Sequence, residues 1–362
     1  MTVTVRPVRS DEDFERFLAF GPQVHQDEPH WLAAPPEMYR SFFDREVNPY
    51  FEHADAEYLM AERDGVVVGH VIAHIDHALN EFKPNRWGLF GGFRVINDQE
   101  VADALLGAAE AWLRERGRDR ILGPLEFSSK EDPGLLIEGY ELEPVVFQPW
   151  LPPYYRALLE GYGLTKAQDV LWRDLELEQV PTELRERLAR WAELVDSRFG
   201  ITVRPLSEQN AIGDMERIYR FLPPIFASTW GYVPLSEREL QQGLPMSAQM
   251  FGPGTLMAER GGEVVGASML VPDFLQPIRK GIMEGGLIDR ARFLFMAVKP
   301  EVGHLGVSSA IFHHHLQAAE RYGIKSVVIG WSVEDNEQMN NAVARLGLPV
   351  SRRHRVYEKL IG

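Results

Sequence analysis

Cysteine is absent from this sequence of 362 residues, and so are an excess of basic residues and any long apolar run. Without cysteine the chain can form no disulfide, no thiolate nucleophile and no cysteine metal site. The formal net charge of −15 argues against general binding to nucleic acid or anionic membranes, since both need an excess of lysine and arginine. No stretch approaches the roughly 18 apolar residues of a membrane span, and residues 1–7 lack the apolar core of a signal peptide. We therefore expect a cytoplasmic protein without an integral membrane segment.

The composition is that of a folded chain with two cores. Hydrophobic residues make up 45% and charged residues 25% of the sequence, which sets aside the disordered and collagen-like classes. At about 150 residues per domain, the length favours two domains.

The two halves of the sequence resemble each other. Thr4–Val8 (TVRPV) recurs as Thr202–Leu206 (TVRPL), and Ala61–Arg63 recurs as Ala258–Arg260. The offsets are 202 − 4 = 198 and 258 − 61 = 197. Nearly equal offsets over such a distance indicate a duplicated domain.

Both halves predict the same order of elements: strand, helix, hairpin, central strand, helix, strand. Asp64-Gly65 and Gly261-Gly262 are two-residue hairpin signals, and residues 181–198 carry apolar side chains at helical spacing. We predict an α/β fold with a mixed sheet, built by tandem duplication from a domain at 1–178, a connecting helix at 179–200 and a domain at 201–362.

A loop with two glycines follows the central strand of the second half. The apolar strand 292–298 is followed by Lys299-Pro300, Gly303 and Gly306, and a helical pattern begins near Val307. Glycine lets the backbone approach an anion, and the first N–H groups of a helix lack intrahelical partners. The loop therefore favours a diphosphate ligand, although the glycines could also serve only to turn a strand into a helix.

The order of elements and the strand end Val298-Lys299-Pro300, followed by 303–308 (GHLGVS), resemble the GCN5-related N-acetyltransferase (GNAT) family. In that family the loop amides hold the diphosphate of coenzyme A. Of the family pattern Arg/Gln-x-x-Gly-x-Gly/Ala only Gly306 matches. Over nearly its whole length the chain resembles bacterial tandem-GNAT proteins, through the segments 48–54 (NPYFEHA), 152–155 (PPYY) and Glu334-x-Asn336.

The first half lacks the loop. Its corresponding residues 95–100 (VINDQE) contain no glycine and place acidic residues at the start of the helix. Acidic residues there cap a helix well and repel phosphate. We predict that the first domain is degenerate and does not bind coenzyme A in the usual way.

The resemblance implies an acyl-CoA-dependent N-acyltransferase, most simply an N-acetyltransferase, with its active site in the C-terminal domain. Its co-substrate would be acetyl-CoA or a longer acyl-CoA, its acceptor a small-molecule or lipid amine, and it would need no metal. Two alternatives stay open: a long-chain N-acyltransferase acting on a lipid amine, and a non-catalytic acyl-CoA-binding protein. The second is suggested because Gly303, Ser308 and Val343 depart from the family pattern. Val343 stands where the family has a tyrosine that serves as general acid toward the thiolate.

The resemblance also assigns residues to roles. The cofactor positions lie on the strand end, the loop and a later turn: Met296, Ala297, Val298, Gly303, His304, Leu305, Gly306, Val307, Ser308 and Asn336. Candidates for the general base are Asp273, Glu284 and Glu334, each of which could equally be a solvated loop carboxylate. Tyr357 is a candidate proton donor to the thiolate. Consecutive helical residues point about 100° apart, so His313-His314-His315 cannot share one metal ion.

The aromatic segment Trp150–Tyr155 contains two tyrosines and lies in an extra segment of the first half that the second half lacks. Two interpretations stay open for it: a wall of an acyl or substrate cavity, and a rigid packed loop.

Overall fold

The computed structural model describes residues 2–127, 133–282, 286–344 and 346–362. The chain forms two compact units. Unit 1 comprises Met1–Leu171, Val333–Asn336 and Arg352–Gly362, and unit 2 comprises Trp172–Ser332 and Glu337–Ser351. In the described ranges no helix is both long and apolar enough to cross a membrane.

Strands and helices alternate along the chain, which confirms the predicted α/β class. The strands are β1 (Thr4–Pro7), β2 (Ala54–Arg63), β3 (Val66–Asp76), β4 (Trp87–Val95), β5 (Arg120–Gly123), β6 (Leu135–Glu138), β7 (Thr165–Glu176), β8 (Ile201–Pro205), β9 (Thr255–Arg260), β10 (Glu263–Pro272), β11 (Arg290–Val298), β12 (Ser326–Val333) and β13 (Arg352–Leu360). The helices are α1 (Asp11–Val24), α2 (Pro36–Phe43), α3 (His77–Phe82), α4 (Gln99–Glu115), α5 (Tyr154–Gly161), α6 (Thr182–Phe199), α7 (Ala211–Phe221), α8 (Pro223–Phe226), α9 (Glu237–Phe251), α10 (Gln276–Arg279), α11 (Pro300–Gly303), α12 (Val307–Tyr322) and α13 (Glu337–Ala344).

The two units repeat one sheet topology. In unit 1, β1, β2, β3 and β4 pair in antiparallel order, and β4 then runs parallel to β5. In unit 2, β8, β9, β10 and β11 pair in the same way, and β11 runs parallel to β12. The sheet is mixed, as the duplication predicts. The C-terminal strand β13 pairs with β5 and β6 within unit 1.

The hairpin turns follow from their sequences. Asp64 and Gly65 have φ angles of 54° and 79°, and Gly261 and Gly262 have 58° and 81°. Two successive positive φ angles define the turn type that matches the twist of a hairpin. The predicted two-residue turns are therefore confirmed.

The long helix of each copy packs on the sheet through one apolar face. In unit 1, α4 buries Val101, Leu105, Ala109 and Leu113 completely. In unit 2, α12 buries Val307 and Ile311 in a cluster that includes Val195 of α6. Each fully buried branched side chain contributes about 1.5–3 kcal/mol, so these faces fix both helices behind their central strands.

Candidate functional site

The central strand of unit 2 separates from its parallel neighbour halfway along its length. Arg290–Phe293 of β11 lie opposite Ser326–Ile329 of β12, and the register ends there. On its other side β11 stays paired with β10 as far as Val298, with Leu294 bulged out of the ladder. Among the described residues, the second half of β11 has ladder partners only on the β10 side. We use the word opening for the region between β11 and β12 that lies beyond the end of this register.

A short loop leads from this strand to α12. Lys299 precedes α11, Leu305 N donates to Val302 O at 3.0 Å, and Gly306 is the N-cap of α12 with φ 87°. Within the described part of the chain no side chain caps α12, and Ser308 in its first turn is exposed. The first N–H groups of a helix carry partial positive charge. This end of α12 therefore offers donors to an anion.

Gly306 also has a packing role. A Cβ atom at this position would lie 2.4 Å from Cε3 of Trp191 on α6. The positive φ angle disfavours any other residue as well. Close packing and chain reversal are thus enough to explain Gly306, and the stronger sign of a ligand is the uncapped start of α12.

The equivalent helix of unit 1 begins with a carboxylate. Asp98 is the N-cap of α4, and its Oδ1 accepts from Glu100 N at 2.9 Å and from Val101 N at 3.4 Å. Asp98 also pairs with Arg63 at 2.9 Å, and the hydrogen bond from Arg63 lowers the pKa of Asp98. A permanent negative charge therefore occupies the place that a phosphate would need.

The chain itself fills the opening beside the central strand of unit 1. The pairing of β4 with β5 ends at Leu89 and Leu122. Beyond it, Leu125 N donates to Phe90 O at 2.8 Å, and Gly92 N donates to Oε2 of Glu126 at 2.8 Å. A Cβ at Gly91 would lie 2.1 Å from Leu125 O, so the approach is close.

Two tyrosines form hydrogen bonds with the backbone at the end of β4. Val95 N donates to Oη of Tyr155 at 2.8 Å, and Oη of Tyr154 donates to Val95 O at 2.7 Å. Burial raises the pKa of Tyr155 well above its ordinary value, so the phenol is neutral and can donate as well as accept. Of the two interpretations of segment 150–155, the structure favours the packed loop for Tyr154 and Tyr155.

Asp273 lies at the opposite end of β11 from the loop. Its fully buried carboxylate pairs with Arg290 at 2.6 Å and Arg279 at 3.2 Å, and its N–H donates to Arg290 O at 2.9 Å. Val298 is eight steps along the strand from Arg290, about 26 Å at 3.3 Å per residue. The structure does not bring Asp273 to the loop, and two arginines hold its charge.

Three further predicted residues lie in unit 1. Glu334 accepts from Lys166 Nζ at 2.6 Å and from Asp169 N at 3.2 Å. Asn336 follows β12 in a turn, where its N–H donates to Val333 O. Tyr357 on β13 is 1% exposed and donates to Oε1 of Glu160 at 3.1 Å, and burial raises its pKa. The loop of residues 303–308 belongs to unit 2.

Two other predictions concern Glu284 and the histidine run. Glu284 lies outside the described residues. His315 points into the core, where Nε2 is 2.5 Å from Oγ of Ser268, and burial lowers the pKa of His315 to about 3. The rings of His313 and His314 are 5.6 Å apart and inclined by 72°. The three side chains point in different directions.

Sequence reasoning missed a buried polar cluster at the end of β12. Oγ of Ser332 donates to Oδ1 of Asn340 at 2.8 Å. Nη1 of Arg173 lies 3.3 Å from Oδ1 of Asn340 and 3.4 Å from Oγ of Ser332. Ser332 is 8% and Arg173 5% exposed. The signal in the sequence was an arginine directly after the apolar residues Val170–Trp172, since arginine is seldom buried in a strand.

The fold is that of the tandem GCN5-related N-acetyltransferases. A solved tandem GNAT protein from the clavulanic acid biosynthesis pathway matches 99% of this chain and 99% of its own with a TM-score of 0.57, at 15% sequence identity. The structural likeness confirms the predicted tandem-GNAT assignment at the level of fold.

Two curated proteins match along nearly the whole sequence. One is the bacterial ceramide synthase of Caulobacter vibrioides, 26% identical over 99% of this chain and 98% of that protein. The other is protein YghO of Escherichia coli K12, 26% identical over 99% of this chain and 95% of that protein. No protein-family model matches the chain.

Proposed function

We propose that this chain is an acyl-CoA-dependent N-acyltransferase whose cofactor site lies in unit 2. The observation that carries the proposal is the start of α12, where Ser308 is exposed, no side chain among the described residues caps the helix, and a short loop leads from the end of β11. In unit 1 the same helix terminus is capped by Asp98 and the same opening is filled by the chain. The tandem GNAT fold agrees with this chemistry.

The cofactor positions proposed from the sequence fit the ligand that they would hold. The diphosphate of coenzyme A needs donors, and the first amides of α12, at Val307 and Ser308, supply them. The extended arm of the cofactor carries amide groups, and the open edge of β11 at Met296–Val298 presents backbone partners for them. Bound acyl-CoA supplies an activated thioester, and backbone N–H groups of β11 would polarise its carbonyl.

We further propose a long-chain acyl group and a lipid amine as the substrates, in preference to acetyl transfer. The support is the match to a bacterial ceramide synthase along nearly the whole length of both chains. A ceramide is the amide of a fatty acid with a long-chain amino alcohol. The fold supports N-acyl transfer as the class of reaction. The choice of a lipid amine as acceptor rests on the name of the relative.

Binding and transfer can be measured separately. Calorimetric titration with palmitoyl-CoA and acetyl-CoA tests the cofactor site, and we expect tighter binding of palmitoyl-CoA. Mass spectrometry of the amide product and release of free thiol then test transfer, with sphinganine as the lipid amine and ethanolamine as the matched short amino alcohol. We expect palmitoyl transfer to sphinganine.

The possible outcomes distinguish a lipid N-acyltransferase from an acetyltransferase and from a non-catalytic binding protein. Failure to bind either acyl-CoA would contradict the whole proposal. Binding without transfer to either amine would instead favour a non-catalytic acyl-CoA-binding protein. Acetyl transfer to ethanolamine with no transfer to sphinganine would overturn the lipid substrate and retain the N-acyltransferase.

A further inference from the structure

Acyl transfer from coenzyme A expels a thiolate. At the position where the resemblance places a proton donor for that thiolate, unit 2 has a valine, Val343. Val343 of α13 is 5% exposed and lies in an apolar cluster with Leu348 and Phe293. A valine can neither donate a hydrogen bond nor carry charge. If the proposed function is right, another group must meet the departing sulfur.

The position of Ser332 suits this task. The register of β11 with β12 ends at Phe293 opposite Ile329. Ser332 lies three residues beyond Ile329 on β12, past the end of that register. Its side chain contacts α13, the helix that carries Val343.

Ser332 is held by two polar neighbours, of which Arg173 is buried. Its hydroxyl donates to Oδ1 of Asn340, one turn before Val343 on α13. Nη1 of Arg173 on β7 lies within 3.4 Å of the same hydroxyl oxygen and 3.3 Å from Asn340. A guanidinium has no acceptor and stays charged, so it polarises a hydroxyl that accepts from it.

A second buried arginine lies near the opening. Arg292 on β11 is 1% exposed, and its guanidinium lies 4.6 Å from the ring centre of Trp172. Its Nε is 3.4 Å from Gly330 O. Gly330 precedes Ser332 by two residues on β12. Each arginine thus places its guanidinium beside the second half of β12, and a nearby positive charge stabilises a thiolate.

We propose that Ser332 is the catalytic hydrogen-bond donor to the departing thiolate of coenzyme A, with Arg173 and Asn340 as its positioning residues. The amine nitrogen forms the new bond to the acyl carbon, and the C–S bond breaks with its electron pair on sulfur. The hydroxyl of Ser332 turns from Asn340 to donate to that sulfur. The amine's proton passes to water, and the thiolate takes a proton from water when coenzyme A leaves.

The test titrates the thiol of bound coenzyme A through the ultraviolet absorbance of its thiolate. The cysteine thiol titrates near pH 8.5 and the alkyl thiol of coenzyme A titrates higher, so free coenzyme A is titrated alongside as the reference. In the wild-type complex we expect the bound thiol to titrate about one unit lower, a tenfold preference for the thiolate. Ser332→Ala and Arg173→Met should return it to the free value, and Ser332→Thr, which keeps the hydroxyl, should retain the shift.

Kinetics supply the second readout. We expect Ser332→Ala to lower kcat about 10²-fold with little change in KM, the size of effect seen when one transition-state donor is removed. The matched control is Ser268→Ala, which removes a buried hydroxyl from β10 in the same unit. The control should leave both kcat and the thiol titration unchanged.

Each result decides between the two proposals. If wild-type protein does not bind coenzyme A, the proposed function fails and this inference fails with it. If it binds coenzyme A but the thiol titrates as it does free in solution, the function stands and the role of Ser332 is overturned. Loss of coenzyme A binding in both Ser332→Ala and Ser332→Thr would assign the cluster to folding and also overturn it.

Discussion

Replacing Ser308 with glutamate should separate helix stability from cofactor binding, because the two should change in opposite directions. Ser308 is the second residue of α12 and is exposed. Glu100 holds the same position in α4 of unit 1. Ser308→Glu therefore gives unit 2 a residue that the chain already uses at the start of its other long helix.

The magnitudes follow from simple electrostatics. An acidic residue in the first turn stabilises a helix by about 0.3–1 kcal/mol. The same charge about 5 Å from one phosphate charge, at an effective dielectric constant of about 20, costs about 3 kcal/mol. That cost weakens binding more than a hundredfold, while the fold becomes slightly more stable.

Two measurements on one protein sample check this prediction. Urea unfolding should show an unchanged or raised free energy of unfolding, and calorimetry should show Kd for palmitoyl-CoA raised more than a hundredfold. Ser308→Gln, of the same size without charge, is the matched control and should bind within a few-fold of wild type. Wild-type affinity in a stable Ser308→Glu protein would refute the placement of the diphosphate at α12.

Three further predictions concern packing and charge in unit 2. Gly306→Ala should lower the free energy of unfolding by about 1–3 kcal/mol, from the positive φ angle and the contact with Trp191, which urea unfolding measures. His315 has its pKa lowered to about 3 from 6.5 by burial, so stability should be complete above pH 6.5 and fall as the unfolded state gains a proton below it. His315→Gln should reduce that slope by up to about 1.4 kcal/mol per pH unit between pH 6 and 4. Asp273→Asn should destabilise by about 3–5 kcal/mol, because it removes a fully buried carboxylate that pairs with two partly buried arginines; a stable variant with an altered pH–rate profile would instead support Asp273 as the base.

Local sequence signals predicted the framework well. The strand and helix order, both hairpin turns and the start of α12 follow from periodicity and from residues with special backbone freedom, such as Gly262. The duplication added a comparison inside the chain, since the acidic start of α4 contrasts with the glycine before α12. These features depend on residues close together in sequence.

The candidate site depends on contacts that sequence spacing does not encode. Trp191 against Gly306 joins two helices more than 100 residues apart, and Arg173 contacts Ser332 from a strand that is adjacent in the sheet but 159 residues away in the sequence. Asp273 illustrates the converse. A carboxylate after a hairpin suggests a base, and only the structure shows the two arginines that hold it.

Hydrogen–deuterium exchange with and without palmitoyl-CoA tests the central claim most directly, because it locates the ligand without any mutation. Amides without hydrogen-bond partners exchange fast until a ligand accepts from them. We predict that saturating palmitoyl-CoA slows exchange at residues 304–309 and along 294–298, and leaves residues 96–101 of unit 1 unchanged. Protection at residues 96–101, or saturation without protection at 304–309, would contradict the account.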